Sequence, residues 1–261
     1  MSDDVPGPHF HDYPLLISRW QALARTLGLA AQAYATVDAY ELFYVRSPAW
    51  QPEGGLYLSA GLHGDEVGAV EGLYTWAALE GPRLRALPVI IFPCLNPHGL
   101  GRNCRTDAAG RDLNRCYHRP QDVPPIRAHQ ALLAGHRFRL ALCLHEDCDA
   151  RGVYLYEFCR WGAARFGGEV LRAAGPDLPR DALRRVGARG VELIGNLALA
   201  LNFTRLPAFT EALYLARHHS ERTITTETPS GYGLGQRART QVAMIRRAFE
   251  LTLASRSAAT R

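Results

Sequence analysis

Short apolar runs alternate with segments of helical periodicity along most of this chain. Three runs have the length of buried strands: residues 55–62 (GLYLSAGL), 87–95 (LPVIIFPCL) and 138–145 (FRLALCLH). Between them, residues 66–80 and 124–135 have the spacing and end signals of helices. Such alternation is typical of a largely parallel sheet with helices on both faces. The sequence therefore predicts an α/β fold with a mostly parallel, mixed central sheet.

The remaining elements follow from the same patterns. Helices are predicted over residues 14–28, 161–174 and 236–255, and strands over residues 40–46, 152–158 and 222–227. Residues 96–122 form a long polar stretch without regular periodicity, which in a compact domain is usually either functional or disordered. Residues 175–220 are rich in Gly, Pro and Arg and receive no assignment. Because no repeat or flexible linker interrupts the chain, we expect one domain over residues 1–261.

Length and composition favour a soluble globular protein. The chain has 261 residues, of which 47% are hydrophobic and 21% charged, enough for one sizeable core. No apolar run approaches the roughly 20 residues that span a membrane. The first residues, MSDDVPGPHFHDYP, are acidic and polar and do not resemble a signal peptide. We therefore expect a cytoplasmic protein that has no membrane partner and whose six cysteines are reduced.

The basic residues are all arginines, because the sequence contains no lysine, and the formal net charge is +5 at pH 7. A chain without lysine cannot use Schiff-base catalysis or the lysine of a phosphate-binding P-loop. The arginines are scattered rather than clustered with aromatic residues, so we do not expect a nucleic-acid partner. The sequence makes no prediction of the oligomeric state.

Polar residues follow several of the predicted strands directly. His63 and Glu66 come after the first apolar run, His145 ends another, and Glu227 ends the strand at 222–227. In open α/β sheets, ligands bind beyond the carboxyl ends of the strands. Two histidines and a glutamate are the ligand set of an open catalytic zinc site. A further glutamate there could serve as the base that activates a water molecule.

These motifs occur in an order that resembles the zinc carboxypeptidase family, which includes carboxypeptidase A. Murein-peptide amidases and, more distantly, succinylglutamate desuccinylase and aspartoacylase are related to that family. The resemblance covers about residues 55–250. The matching motifs are His63-x-x-Glu66, Asn96-Pro97-His98-Gly99, Arg105, Asp112-Leu113-Asn114-Arg115, His145 and Glu227.

The resemblance implies the metal and the base of the reaction. One Zn²⁺ per chain would be bound by His63, Glu66 and His145. Glu227 would be the general base and later the proton donor to the leaving amine. Asp112 would orient the first zinc histidine, since a carboxylate behind a ligating imidazole fixes its tautomer.

The resemblance also implies how a substrate is held. Arg105 would stabilise the oxyanion that forms from the scissile carbonyl. Asn114 and Arg115 would clamp a terminal carboxylate, and a guanidinium group matches a carboxylate with two parallel hydrogen bonds. The expected substrate is therefore a small peptide or an acyl amino acid with a free carboxylate.

The sequence departs from the family pattern at three places. His98 replaces the aspartate of the family's Asn-Pro-Asp-Gly motif, and the spacing from Glu66 to His145 is short, which implies trimmed loops. Tyr214 is too close to Glu227 to take the role of the family's mobile tyrosine. The acids and aromatics of residues 146–157 have two interpretations, either sheet packing with a solvated loop or a pocket wall that selects a polar or cationic side chain.

Three hypotheses of function remain open. The leading one is a carboxypeptidase-like metallopeptidase that hydrolyses an amide beside a free carboxylate of a peptide or cell-wall peptide. The alternative is an N-acyl amino-acid deacylase of the succinylglutamate desuccinylase and aspartoacylase type, which would use the same residues. A non-catalytic binding protein would be expected to lack a ligand or the base, and none is missing here.

Overall fold

The core of the protein is one mixed eight-stranded sheet. A computed structural model describes residues 8–159, 164–181, 191–195 and 209–259. The strand order across the sheet is β1-β2-β4-β3-β5-β8-β6-β7. The strands are β1 (Ala30–Val37), β2 (Tyr40–Arg46), β3 (Glu53–Ser59), β4 (Val89–Phe92), β5 (Arg137–Asp147), β6 (Tyr154–Cys159), β7 (Val191–Gly195) and β8 (Arg222–Pro229).

The helices connect these strands and cover the sheet. They are α1 (Tyr13–Leu27), α2 (Val67–Glu80), α3 (Pro97–Arg102), α4 (Pro124–Leu133), α5 (Gly167–Ala173), α6 (Glu211–His218) and α7 (Leu234–Ala259). Short 3₁₀ helices lie at Pro8–His11, Gly81–Ala86, Leu113–Arg115 and Pro120–Asp122. One hydrophobic core contains residues of α1, α2, α5 and α7, and a second contains residues of α4 and α6. Helices therefore cover both faces of the sheet, as the sequence predicted.

Parallel pairing occupies the centre of the sheet. β4, β3, β5 and β8 pair in parallel with one another in that order. Antiparallel pairs join β1 to β2, β2 to β4 and β6 to β8, while β6 and β7 are parallel. The prediction of a mostly parallel, mixed α/β sheet is confirmed. Because the central strands run in one direction, their carboxyl ends meet along the same edge.

Some elements differ from the sequence prediction. The strand β1, the strand β7 and the helix α6 were not predicted, and the region 96–122 contains α3 as well as irregular backbone. The helix predicted over residues 161–174 is observed as the shorter α5, and residues 161–163 lie outside the described residues. Among the described residues, no helix combines the length and apolarity needed to cross a bilayer.

A buried chain of hydrogen bonds crosses the core between the sheet and the helices α4 and α6. The Tyr57 hydroxyl donates to the Glu211 carboxylate, and its oxygen lies 3.0 Å from His129 Nε2. The Tyr117 hydroxyl lies 2.9 Å from His129 Nδ1. Since the Tyr57 proton is used on Glu211, His129 must donate from Nε2 and accept at Nδ1. Burial lowers the pKa of His129 to about 3, so the imidazole is neutral in the folded protein.

We expect His129 to make the protein less stable as the pH falls below about 6.5. Between that unfolded-state pKa and about 3, the unfolded chain binds a proton that the folded chain excludes, so acid favours unfolding. At pH 5 the free energy of unfolding should be about 2 kcal/mol lower than at pH 7. Urea unfolding at both pH values would measure it in the wild type and in His129→Gln, which keeps one donor and one acceptor. An identical pH dependence in the two proteins would contradict the prediction.

Candidate active site

The carboxyl ends of β3, β5 and β8 bring together the residues predicted from the sequence. His63 follows β3, while His145 and Glu227 lie near the ends of the neighbouring strands β5 and β8. His145 and Glu227 are direct partners in the parallel register. Residues that are 82 positions apart in the sequence are thus held side by side by the backbone hydrogen bonds of the sheet.

A tight turn after β3 aims the first two polar residues inward. Gly61 has a positive φ of 62°, which favours glycine because it lacks a Cβ atom. A Cβ atom on Gly64 would lie 1.8 Å from the backbone carbon of Gly99, so only glycine fits between this turn and α3. The turn ends at Glu66, directly before α2 begins at Val67.

His63, Glu66 and His145 form a group that fits a metal ion. One ligand atom from each residue lies within 4.8 Å of the others, and all three residues are buried. Nδ1 of His63 lies 2.5 Å from Glu66 Oε1, and Nδ1 of His145 lies 2.8 Å from Glu66 Oε2. Two imidazole nitrogens and a carboxylate that converge in this way are suitable ligands for zinc and other divalent transition metals.

The charges of this group stabilise one another. Burial alone would raise the pKa of Glu66, but the charges of His145 and His63 outweigh burial and lower the pKa to about 2. Burial alone would lower the pKa of His63, but the Glu66 charge and the hydrogen bond to Asp112 raise it to about 9. The glutamate is therefore ionised, and a metal ion would replace the protons that the histidines share with it.

Asp112 holds the far side of the first histidine. Its Oδ1 atom lies 3.2 Å from His63 Nε2 and also accepts the Asn114 backbone N–H at 2.9 Å. Its Oδ2 atom accepts from Arg105 Nε at 3.0 Å. A proton on His63 Nε2 that is donated to Asp112 leaves Nδ1 as the nitrogen that faces Glu66 and His145. Asp112 thus contacts both His63 and Arg105.

Glu227 lies at the same pocket, outside the three-residue group. Burial raises its pKa to about 8, and the charges of Glu66 and Asp147 add to this effect, while His145 and Arg105 oppose it. A carboxyl group whose pKa lies near neutrality can accept a proton and release it again under physiological conditions. This combination of position and pKa is typical of a general base.

Asn114 and Arg115 occupy the 3₁₀ helix at Leu113–Arg115 on the pocket wall. The Glu211 backbone N–H donates to Asn114 Oδ1 at 2.9 Å, and the NH₂ end of the amide has no hydrogen-bond partner among the described residues, so it can donate to a ligand. The Arg115 side chain is exposed, and Nη1 donates to the Asn114 carbonyl at 3.1 Å. An amide donor and a guanidinium group in adjacent positions can hold a carboxylate.

These residues line one pocket of about 620 Å³. Asp112 lies just behind it, and the wall also contains acids and aromatics from the ends of β5 and β6 and residues from the start of α6. The further lining residues include Asp65, Asp147, Asp149, Tyr154, Tyr156, Phe158, Thr210, Ala212 and Leu213. A pocket of this size suits a small molecule or a short peptide end.

The sequence of the chain matches a known catalytic domain over most of its length. The profile of the succinylglutamate desuccinylase/aspartoacylase catalytic domain matches residues 52–252. The chain belongs to the succinylglutamate desuccinylase/aspartoacylase family. This membership confirms the resemblance to zinc carboxypeptidase-like proteins, because that family was among the relatives named for the motifs. No curated protein matches the sequence significantly.

Solved structures show the same fold. A Shewanella baltica OS155 protein that is provisionally described as a metallopeptidase has a TM-score of 0.79 at 21% identity, covering 93% of each chain. A metallo-carboxypeptidase from Burkholderia cenocepacia has a TM-score of 0.69 at 16% identity, covering 94% of this chain and 70% of its own. A Pseudomonas aeruginosa metallo-carboxypeptidase has a TM-score of 0.60 at 18% identity, covering 93% and 70%. The family member described here therefore has a carboxypeptidase-like fold.

Several contacts in or near the site were not predicted. Tyr154 pairs in register with Glu227, and its hydroxyl donates to Asp147 at 2.5 Å. Glu211 anchors Asn114 from behind. Of the two interpretations of residues 146–157, the structure places Asp147, Tyr154 and Tyr156 on the pocket wall. The same segment also contributes to packing, because Glu157 is buried beside Arg222. Tyr214 contacts His219 through its hydroxyl at 2.9 Å and does not line the pocket.

Proposed function

We propose that this protein is a metal-dependent hydrolase that cleaves an amide bond next to a free carboxylate, with short peptides as its substrates. The observation that carries the proposal is the pocket itself. A metal-binding group, a raised-pKa glutamate and a carboxylate clamp line the same 620 Å³ space. Metal-assisted hydrolysis of an amide beside a free carboxylate uses the metal and the base on the amide and the clamp on the carboxylate.

In the proposed reaction, each side chain has a defined task. A zinc ion held by His63, Glu66 and His145 would supply Lewis acidity, which polarises a carbonyl group and acidifies water. Glu227 takes the proton of the attacking water and later delivers it to the leaving amine. Arg105 is exposed to the pocket, where its N–H groups can donate to the oxyanion that develops on the carbonyl.

The carboxylate of the substrate is bound by Asn114 and Arg115 beside the scissile bond. Support comes from the Pseudomonas aeruginosa metallo-carboxypeptidase of the same fold, which was solved with (2-guanidinoethylmercapto)succinic acid. That molecule carries carboxylates and a guanidinium group. The present pocket contains arginines that could bind such carboxylates and aspartates that could bind a guanidinium group.

The charge of the pocket favours a peptide over an acyl group that carries its own carboxylate. Arg105 contacts Asp112 at the β3 side, whereas Asp147 and Tyr154 lie toward β6, with Asp149 nearby. A second carboxylate on the substrate, such as that of a succinyl group, would be repelled wherever it lay beside these acids, since like charges repel in a half-buried pocket. A free amino group or a basic side chain would be attracted instead.

The second candidate is an N-acyl amino-acid deacylase. The match of residues 52–252 to the succinylglutamate desuccinylase/aspartoacylase catalytic domain favours it specifically. It would use the same zinc ligands, base and clamp, since both reactions hydrolyse an amide near a carboxylate.

A turnover assay by mass spectrometry separates the two functions. The zinc-loaded protein would be given short peptides, the same peptides with amidated carboxyl ends, and N-acetyl and N-succinyl amino acids. Release of the last residue from the free-acid peptides, lost in Glu227→Gln, would support the peptidase. Cleavage of the acyl amino acids alone would establish the deacylase. Absence of any cleavage would contradict the proposed function.

Replacing Arg115 with methionine should weaken substrate binding without disturbing the fold. Arg115 is exposed, and a hydrogen bond to a charged group contributes about 1.5–3 kcal/mol, so KM should rise about 10- to 100-fold. The rise should be seen with free-acid substrates and not with their amides. Arg119→Met, also exposed and outside the pocket, is the matched control. An equal KM for the two variants would remove Arg115 from the clamp.

A further inference from the structure

The carboxylate of Glu146 joins the three elements that carry the candidate metal ligands and base. Glu146 follows His145 on β5, but its side chain points to the opposite side of the sheet and is fully buried. Its Oε2 atom accepts the Gly68 backbone N–H at 2.8 Å, in the first turn of α2 and two residues after Glu66. Its Oε1 atom accepts the Thr228 hydroxyl at 3.1 Å, one residue after Glu227.

Helix α7 holds the Glu146 carboxylate in place. Arg237 Nη1 donates to Glu146 Oε2 at 2.6 Å, and both side chains are almost completely removed from solvent. Gln241, one turn further along α7, donates to the His145 carbonyl at 3.0 Å and to Thr228 Oγ1 at 3.2 Å. A buried charge pair with further hydrogen bonds has one well-defined geometry, because any displacement leaves a charge unpaired.

The glycine at position 68 is required by this arrangement. A Cβ atom there would lie 2.3 Å from Glu146 Oε1 and 3.0 Å from the Cβ of Arg237. The carboxylate cannot move aside easily, since it accepts three hydrogen bonds from three separate elements. Because Gly68 has no side chain, α2 leaves the space that the Glu146 carboxylate occupies.

We propose that Glu146, held by Arg237, is a positioning residue that keeps Glu66, His145 and Glu227 in register for metal binding and proton transfer. Its carboxylate oxygens contact Gly68, Thr228 and Arg237, and it acts through the chain next to each of the three residues. The proposal rests on the proposed metal-dependent function, which assigns those three residues their roles. Residues that orient metal ligands from behind typically change metal affinity or activity by about 10- to 100-fold when they are replaced.

Two conservative variants test this proposal in the full-length protein. Gly68→Ala pushes the Glu146 carboxylate away, and Thr228→Val removes one hydroxyl that contacts it. The matched control for the first is Gly168→Ala, which is also the second residue of a helix and whose added Cβ meets nothing within 4 Å. The control for the second is Thr223→Val, which removes a buried hydroxyl on β8 that has no hydrogen-bond partner among the described residues.

The first measurement is the dissociation constant for Zn²⁺ by chelator competition at one pH, with thermal unfolding of the metal-free proteins alongside. We expect Gly68→Ala and Thr228→Val to bind zinc about tenfold or more weakly than their controls. With zinc at saturation, kcat should fall while KM stays constant, because Asn114 and Arg115 are not attached to this network. Zinc affinity and kcat equal to those of the controls would overturn the proposal, even if the melting temperature dropped.

The outcome for the wild type separates this proposal from the proposed function. If the wild-type protein bound no zinc, the result would contradict both the proposed metal site and the positioning role of Glu146. A wild type that binds zinc and turns over substrate, together with variants that match their controls, would remove only the role of Glu146.

Discussion

Replacing Glu227 with glutamine is expected to lower kcat by about 10²- to 10⁴-fold, the usual contribution of a general acid–base residue. The amide keeps the shape of the carboxyl group but cannot accept a proton from water. Glu227 lies outside the three-residue metal group, so zinc content should be unchanged. Its pKa of about 8, raised by burial, is suited to releasing the proton again near neutral pH. Steady-state kinetics and metal analysis of the same preparation measure both effects.

A second glutamate supplies the control for this experiment. Glu221 is exposed, precedes the strand that carries Glu227 and does not line the pocket. Glu221→Gln makes the same chemical change and should keep wild-type kinetics. If Glu227→Gln turned over substrate as fast as Glu221→Gln, another residue would have to be the base.

Removal of His145 is expected to abolish stoichiometric zinc binding. Among the described residues, His145 contributes one of the two imidazoles of the candidate site, and its Nδ1 atom faces the Glu66 carboxylate at 2.8 Å. His145→Ala leaves two ligands, which is fewer than the three protein ligands of open zinc sites. Metal analysis after gel filtration should find about one zinc per wild-type chain and none in the variant.

The melting temperature gives an independent measurement of the loss of zinc binding in His145→Ala. A ligand at about 1,000 times its dissociation constant stabilises the folded state by about 4 kcal/mol. Zinc should therefore raise the melting temperature of the wild type and leave that of His145→Ala unchanged. His218→Ala removes an exposed histidine of α6 outside the pocket and should behave like the wild type. Stoichiometric zinc in His145→Ala would exclude His145 as a ligand.

The central part of the fold was predictable because its strands are fully buried. The runs at 55–62, 87–95 and 138–145 are predominantly apolar, as is typical of parallel strands covered on both faces. β1 was missed since its sequence, AAQAYATV, has few large apolar residues and pairs as an antiparallel edge strand. α6 and β7 lie in a Gly-, Pro- and Arg-rich region that has no clear periodicity.

The sequence predicted the residues of the candidate site but not the contacts that hold them in place. His63, His145 and Glu227 were identified because each lies at the end of a predicted strand, and the motif order indicated the rest. The contact between Arg237 and Glu146 joins residues 91 positions apart, and no local pattern reveals it. Glu211 likewise reaches Tyr57 across 154 positions. Such pairs depend on strand order and helix packing, which a single sequence does not specify.

The register pairing of His145 with Glu227 fixes the spacing of two residues of the candidate site independently of the residues that form the pocket wall. These two residues are spaced by the ladder between adjacent strands, about 4.8 Å, and that distance does not depend on any loop. Part of the pocket wall, by contrast, comes from the end of β5 and the residues after it, Asp147–Asp149, and from the start of α6, at Thr210 and Leu213. Under the proposed function, insertions or exchanges in those segments should therefore change which amides are cleaved while leaving the reacting groups undisturbed. The protein is accordingly a suitable scaffold for changing substrate preference by loop grafting.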